Sequence, residues 1–265
     1  MRQSRAMATD PSGIPVPDPT ETLARVLEST AHLIATAEQF DDAAVREPSL
    51  LPGWTRGHVL THVARNADAV IRLLTWAATG VETPMYASSE AREAEIDEGA
   101  NRGARELVAD VHDASERFAV HAARLTEEQW RAQITGRRGG PQPAAWLPWW
   151  RLEEVLIHHV DLGVHFSPAH WPQYFTEPEL AMIARRFSDP VFTPESPAFR
   201  VHAEDVDGAD EIDEVFAIRA DKDDDQTPIV RGPSAALVAW LIGRSNGDGL
   251  NVEPHGALPQ PPAWK

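Results

Sequence analysis

Apolar residues recur every three or four positions in four long stretches of the first two thirds of the chain, and most of these stretches carry helix punctuation. In "PDPTETLARVLESTAHLIATAEQF" the stripe is Leu23, Val26, Leu27, Leu33, Ile34, Ala37 and Phe40. Asp18 stands where an N-cap belongs, Pro19 fills the first helical position and Glu21 sits where a capping box needs it. Leu60, Val63, Ala67, Val70, Ile71 and Leu74 predict a second helix, opened by Thr55 and closed at about Thr79 by Gly80. A third runs from about Ala104 through Leu107, Val108, Val111, Phe118, Ala122 and Leu125. After the turn-rich "ITGRRGGPQPAAW", a fourth passes through "WWRLEEVLIHHVDLG". Four amphipathic segments predict a helix bundle over residues 18–166.

Beyond it the pattern changes from helical period to alternation. "TEPEL" repeats the capping-box signature, with Pro178 at the first helical position of a helix through Leu180, Ile183 and Phe187. "AFRVHAE" and "EVFAIRA" alternate as strands do, "PSAALVAWLIG" reads as a helix, and "LNVEPH" as a last strand. A smaller α/β domain is expected over residues 170–265, so the fold class is α + α/β. Residues 1–17, rich in Pro, Ser, Gly and Asp without periodicity, read as a disordered tail. The acidic "ADKDDD" reads as a solvated loop rather than a metal site.

Composition removes several function classes. With 41 acidic against 24 basic residues the formal charge is −17, which repels nucleic-acid phosphates and anionic lipid, and no basic patch offsets it. No apolar run approaches the roughly 18 residues of a membrane helix, and the N-terminus lacks a signal-peptide hydrophobic region. The expectation is therefore a cytoplasmic protein without nucleic-acid or membrane partners. The chain has no cysteine, so any thiol chemistry uses a thiol from outside.

The candidate chemistry lies in the histidines. Glu154 and His158 are spaced i, i+4 and share a helix face, which suits either a surface pair or two ligands of one ion. A third ligand would come from the second helix, where His62 lies beside the apolar stripe and His58 projects further toward solvent. His159, mid-stripe among Leu152, Val155 and Leu156, reads as a hydrogen-bonded core histidine. Asp161 shares the face of Glu154 and His158, and either orients a ligand or lies on the surface.

"GWTRGHVLTHVARNADAV", "TGVETPMY", "RLEEVLIHHVDLG", "GRSNGDG" and the closing "LPQPPAWK" together resemble the mycothiol-dependent maleylpyruvate isomerase family, whose N-terminal domain is a DinB-like four-helix bundle. The resemblance is dense from about Leu50 to Ile96 and across the fourth helix, and thinner after it. It implies a divalent metal, zinc first, held by His62, Glu154 and His158, with His58 on a position that does not bind metal. It implies mycothiol as thiol cosubstrate, and a function in aromatic-compound catabolism through gentisate. Three protein ligands leave a fourth position for the thiol, whose pKa the metal lowers. The thiolate would add to the cis double bond of maleylpyruvate, the adduct would rotate about the new single bond, and elimination would give fumarylpyruvate. The family also places a functional arginine in the turn that here holds Arg244, where a guanidinium could grip a substrate carboxylate. A helix-end cation is the plain alternative.

Two further classes fit the metal motif: a mycothiol S-transferase acting on another electrophile, and a non-catalytic DinB-like metal-binding module. The physiological electrophile, the native metal, the residues that bind mycothiol and the oligomeric state are left open by the sequence.

Overall fold

The computed structural model describes residues 15–136, 140–188, 197–205, 215–218, 227–254 and 256–264. Most of the predicted tail, the acidic run and His255 lie outside these residues. The chain divides into two compact units, Met1–His165 and Phe166–Lys265.

The helices described in the first unit are α1 (Pro19–Ala37), α2 (Arg56–Thr79), α3 (Ser89–Gly99), α4 (Ala104–Ala122), α5 (Glu127–Trp130) and α6 (Leu147–Asp161). The helix ends obey local chemistry. The Asp18 carboxylate accepts from the backbone N–H of Thr20 and Glu21 at 2.9 and 3.0 Å, capping α1. Thr55 caps α2, and Gly80, with φ of 72°, ends it in the left-handed region where only glycine is at ease. α4 stops at Ala122, so Leu125 falls in the turn beyond it rather than in the helix.

α2 packs on α4 and α6, and α1 packs on α6 and α4, which makes α1, α2, α4 and α6 the four-helix bundle. The predicted stripes supply its core: Val26 and Leu33, Leu60, Val63 and Val70, Leu107, Val111 and Phe118, and Leu152, Val155 and Leu156 are all buried, whereas Leu27 of the α1 stripe is exposed and Phe40 lies beyond the end of α1. Burying each such side chain contributes about 1.5–3 kcal/mol.

α3 was not anticipated by the periodicity. "SEAREAEIDEG" contains one buried apolar residue, Ile96, so it has no stripe to read. Its place comes from contact with α2 instead. At Gly57 a Cβ would stand 2.6 Å from the Ala100 carbonyl oxygen at the end of α3. Gly57→Ala is expected to force that backbone apart and lower stability by about 1–3 kcal/mol. Thermal unfolding measures it, and an unchanged midpoint would show that the approach is not tight.

The turn-rich segment before α6 contains a short antiparallel hairpin, β1 (Gln133–Thr135) with β2 (Pro141–Pro143). The second unit holds α7 (Gln173–Ser188), β3 (Phe199–Ala203), β4 (Val215–Ile218), β5 (Ile229–Gly232), α8 (Ser234–Leu241) and β6 (Asn251–Glu253). Its sheet has the order β4-β3-β5-β6, with β3 and β5 parallel and the outer pairs antiparallel. β5 was not among the strands read from the sequence. α7 packs on α8 and β4, giving the small α/β unit.

One boundary is corrected. α7 begins at Gln173, and Pro178 lies inside it rather than at its first position. Proline there removes the N–H that the Tyr174 carbonyl would accept, which disfavours a helix. Tertiary contacts outweigh that cost: Phe175 and Thr176 are buried, and the Thr176 hydroxyl bonds Ser234 Oγ at 2.8 Å instead of capping a helix at Glu179. Among the described residues no helix is long and apolar enough to cross a membrane.

Candidate metal centre

α2 and α6 carry the chemistry, and a buried arginine fixes their register. Arg151 is fully buried, and its Nη1 donates to the Val63 carbonyl at 2.8 Å and to Asn66 Oδ1 at 2.9 Å. Val63 follows His62 in the chain, and Arg151 precedes Glu154 by three residues. This one side chain therefore ties together the two helical turns that hold the candidate ligands. Burial pushes its pKa down to about 10, the charge of Glu154 opposing that shift.

His62, Glu154 and His158 converge. His62 Nε2 lies 2.9 Å and His158 Nε2 lies 3.2 Å from the same oxygen, Glu154 Oε2. The two imidazoles meet edge to face with centroids 4.5 Å apart. His62 and His158 are buried, while the Glu154 side chain is 17% exposed. Ligand atoms of a tetrahedral ion stand roughly 3.3–3.5 Å from one another. The three donors here lie within 4.8 Å of each other, so the set fits a single divalent cation.

The pKa values of the two histidines are shifted in opposite directions. Burial pushes the His62 pKa down to about 4, reinforced by the neighbouring His158 and opposed by the hydrogen bond to Glu154. Burial acts the same way on His158, but the hydrogen bonds to Asp161 and Glu154 and their charges outweigh it and hold the pKa above 6.5. Asp161 is fully buried and its Oδ2 is 2.8 Å from His158 Nδ1. Of its two readings, the buried orienting group is the one the structure shows. A carboxylate at Nδ1 holds the ring proton there and leaves Nε2 free to ligate.

His58 has another task. Its Nδ1 accepts from the Thr55 backbone N–H at 3.2 Å and contacts Thr55 Oγ1 at 2.7 Å, completing the N-terminal cap of α2. His159 is a core histidine, its Nε2 2.8 Å from Thr36 Oγ1.

Arg92, on α3, is the residue that sequence reasoning missed. Its Nη2 donates to His62 Nδ1 at 3.2 Å, so the His62 proton in this arrangement is on Nε2, facing Glu154. Coordination through Nε2 requires the neutral ring to carry its proton on Nδ1 instead, and an N–H there cannot accept from Arg92. Arg151 was missed as well, although its spacing of three and seven residues from Glu154 and His158 places it on their face. A second group, His112, Asp113 and Glu116, is wholly exposed and has none of this buried support.

The family model of the mycothiol maleylpyruvate isomerase N-terminal domain matches residues 26–163. The chain belongs to the mycothiol-dependent maleylpyruvate isomerase family. The segment matched to the family encloses His62, Arg92, Arg151, Glu154, His158 and Asp161. Among solved structures, a crystal structure of the mycothiol-dependent maleylpyruvate isomerase is 30% identical, covering 93% of this chain and 97% of that one with a TM-score of 0.82. A histidine-to-alanine mutant of that enzyme matches with a TM-score of 0.81 at the same identity and coverage. No curated protein sequence matches. Arg244 lies outside the family-model segment, in the second unit. It follows α8, is half-buried, and its Nη1 donates to the Ile242 carbonyl at 3.0 Å.

Proposed function

We propose that the chain is a mycothiol-dependent cis-trans isomerase that converts maleylpyruvate to fumarylpyruvate, with a divalent ion, zinc first, on His62, Glu154 and His158. The observation that carries this reading is the convergence of two buried imidazoles and one carboxylate, inside the segment matched to this isomerase family. Bound there, the ion would lower the pKa of a thiol and offset developing negative charge, chemistry that a chain without cysteine cannot supply alone. The chain's own part is positional. Asp161 orients His158, Arg151 holds α2 against α6, and the partly exposed Glu154 marks the side open to solvent.

The test is to incubate zinc-loaded protein with mycothiol and maleylpyruvate and follow fumarylpyruvate by absorbance. Conversion that requires both zinc and mycothiol supports the isomerase. A stable thioether that is never released would assign the chain to the S-transferases. Neither product from fully loaded protein would overturn thiol catalysis.

On the family resemblance and its place in the glycine-rich turn, Arg244 is assigned the grip on a substrate carboxylate. A planar guanidinium can make two parallel hydrogen bonds to a carboxylate where an ammonium cannot. Arg244→Lys is expected to keep fold and metal but lower turnover at least about tenfold, or about 1.4 kcal/mol in the barrier. Wild-type turnover in the lysine variant would reduce Arg244 to a cation at the end of α8.

A further inference from the structure

Among the described residues, Arg92 is a cation held beside the candidate metal ligands without an acidic partner. Its guanidinium lies 5.7 Å from the centroid of the Tyr86 ring, its Nη2 reaches His62 Nδ1, and its Nε is buried with no hydrogen-bond partner. Among the described residues it makes no ion pair, although α3 itself carries Glu90, Glu93, Glu95, Asp97 and Glu98. Nearby arginines differ: Arg65 pairs with Asp110 at 2.5 Å, Arg102 with the same carboxylate at 2.7 Å, and Arg56 with Glu47 at 2.5 Å. In a chain of net charge −17, a half-buried arginine left without a carboxylate is an open place for an anion from outside.

The bond it does make is a poor substitute. A neutral imidazole nitrogen is a single acceptor, whereas the guanidinium edge offers parallel donors matched to a carboxylate. That acceptor is also lost once His62 ligates through Nε2, because its ring proton then sits on Nδ1. The Tyr86 ring meanwhile backs the guanidinium, restricting where it can turn.

We infer that Arg92 is the residue of the bundle that binds a carboxylate of the electrophile, beside the metal ligands. The inference rests on the reading above that the electrophile is an anion. It places a cationic contact for the electrophile within one hydrogen bond of His62.

The probe is maleate, a cis-ene dicarboxylate, titrated calorimetrically into zinc-loaded protein without mycothiol, the thiol that reaction needs. Arg92→Met is expected to weaken maleate binding at least about tenfold, and Arg92→Lys by a smaller factor because the charge survives without the paired donors. Zinc affinity, read by chelator competition, should stay within about threefold of wild type or tighten, since a donor aimed at Nδ1 has been removed. With maleylpyruvate, KM should rise more than kcat falls. Wild-type maleate affinity in Arg92→Met would overturn the inference. So would a tenfold loss of zinc in that variant, which would make Arg92 only a support for His62. If Arg92→Met does not fold, Arg92→Lys decides by the same titration. Maleate binding that depends on Arg92 in a protein that never isomerises maleylpyruvate would keep this site and remove the proposed substrate. Isomerisation and maleate binding unaffected by either variant would do the reverse.

Discussion

Alanine at His62, Glu154 or His158 is expected to reduce zinc affinity at least about tenfold and to abolish mycothiol-dependent turnover with it. Two remaining ligands hold a divalent ion weakly, and among the described residues no further His, Asp or Glu belongs to the group to replace the lost one. The partly exposed Glu154 carboxylate and the two buried imidazoles also bond one another, so each variant should be checked for folding by circular dichroism before metal is counted. His58→Ala is the control. It sits four residues before His62 on the same helix, yet its ring closes the Thr55 cap. Its loss should cost at most about 1 kcal/mol of stability and leave zinc bound. Metal analysis of the purified variants decides the matter: zinc retained in His62→Ala and lost in His58→Ala would overturn the ligand set.

Asp161→Asn should lower zinc affinity by about 10–100-fold while leaving all three ligands in place, the usual cost of losing the group that orients a ligating histidine. It should also change how affinity depends on pH. In the metal-free protein His158 titrates above 6.5, so below that pKa zinc must displace one proton from it, and apparent affinity falls about tenfold per pH unit. His62, with a pKa of about 4, adds a second proton only in strong acid. With Asp161 uncharged, one of the interactions that raise the His158 pKa weakens, and the inflection should move to lower pH. Zinc titrations across pH 5 to 9 (about one decade per unit on the sloping side) test this. An inflection unchanged in Asp161→Asn would show that Asp161 does not set the His158 proton.

Linkage gives the same two histidines opposite effects on the stability of the metal-free fold. The raised pKa of His158 contributes stability that is present below pH 6.5 and is lost as pH rises through its folded value. The lowered pKa of His62 works the other way: its contribution is present above pH 6.5 and is lost as pH falls toward about 4. Zinc, by requiring both rings neutral as ligands, should add most stability on the alkaline side of this range.

What the sequence determined by itself was whatever depends on residues a few positions apart. Thr55 and Gly80 bound α2 because capping and a left-handed stop are local. The stripes of α1, α2, α4 and α6 mark buried faces because 3.6-residue periodicity records which side of a helix avoids water. Glu154 and His158 share a face through the same geometry, and the family resemblance supplied His62 as their partner. Tertiary structure decided what depends on distant groups meeting. α3 has no stripe, and it is held by an approach that only Gly57 on α2 allows, so Arg92 could not be placed beside His62 from the sequence. Arg151 reaches Val63 across 88 positions of chain, and His159 reaches Thr36 across 123. Pro178 obeys the contacts of Phe175 and Thr176 over its own preference. In each case a buried hydrogen bond or packed surface joins groups that no local pattern pairs, and its free energy exceeds the local propensity it overrides.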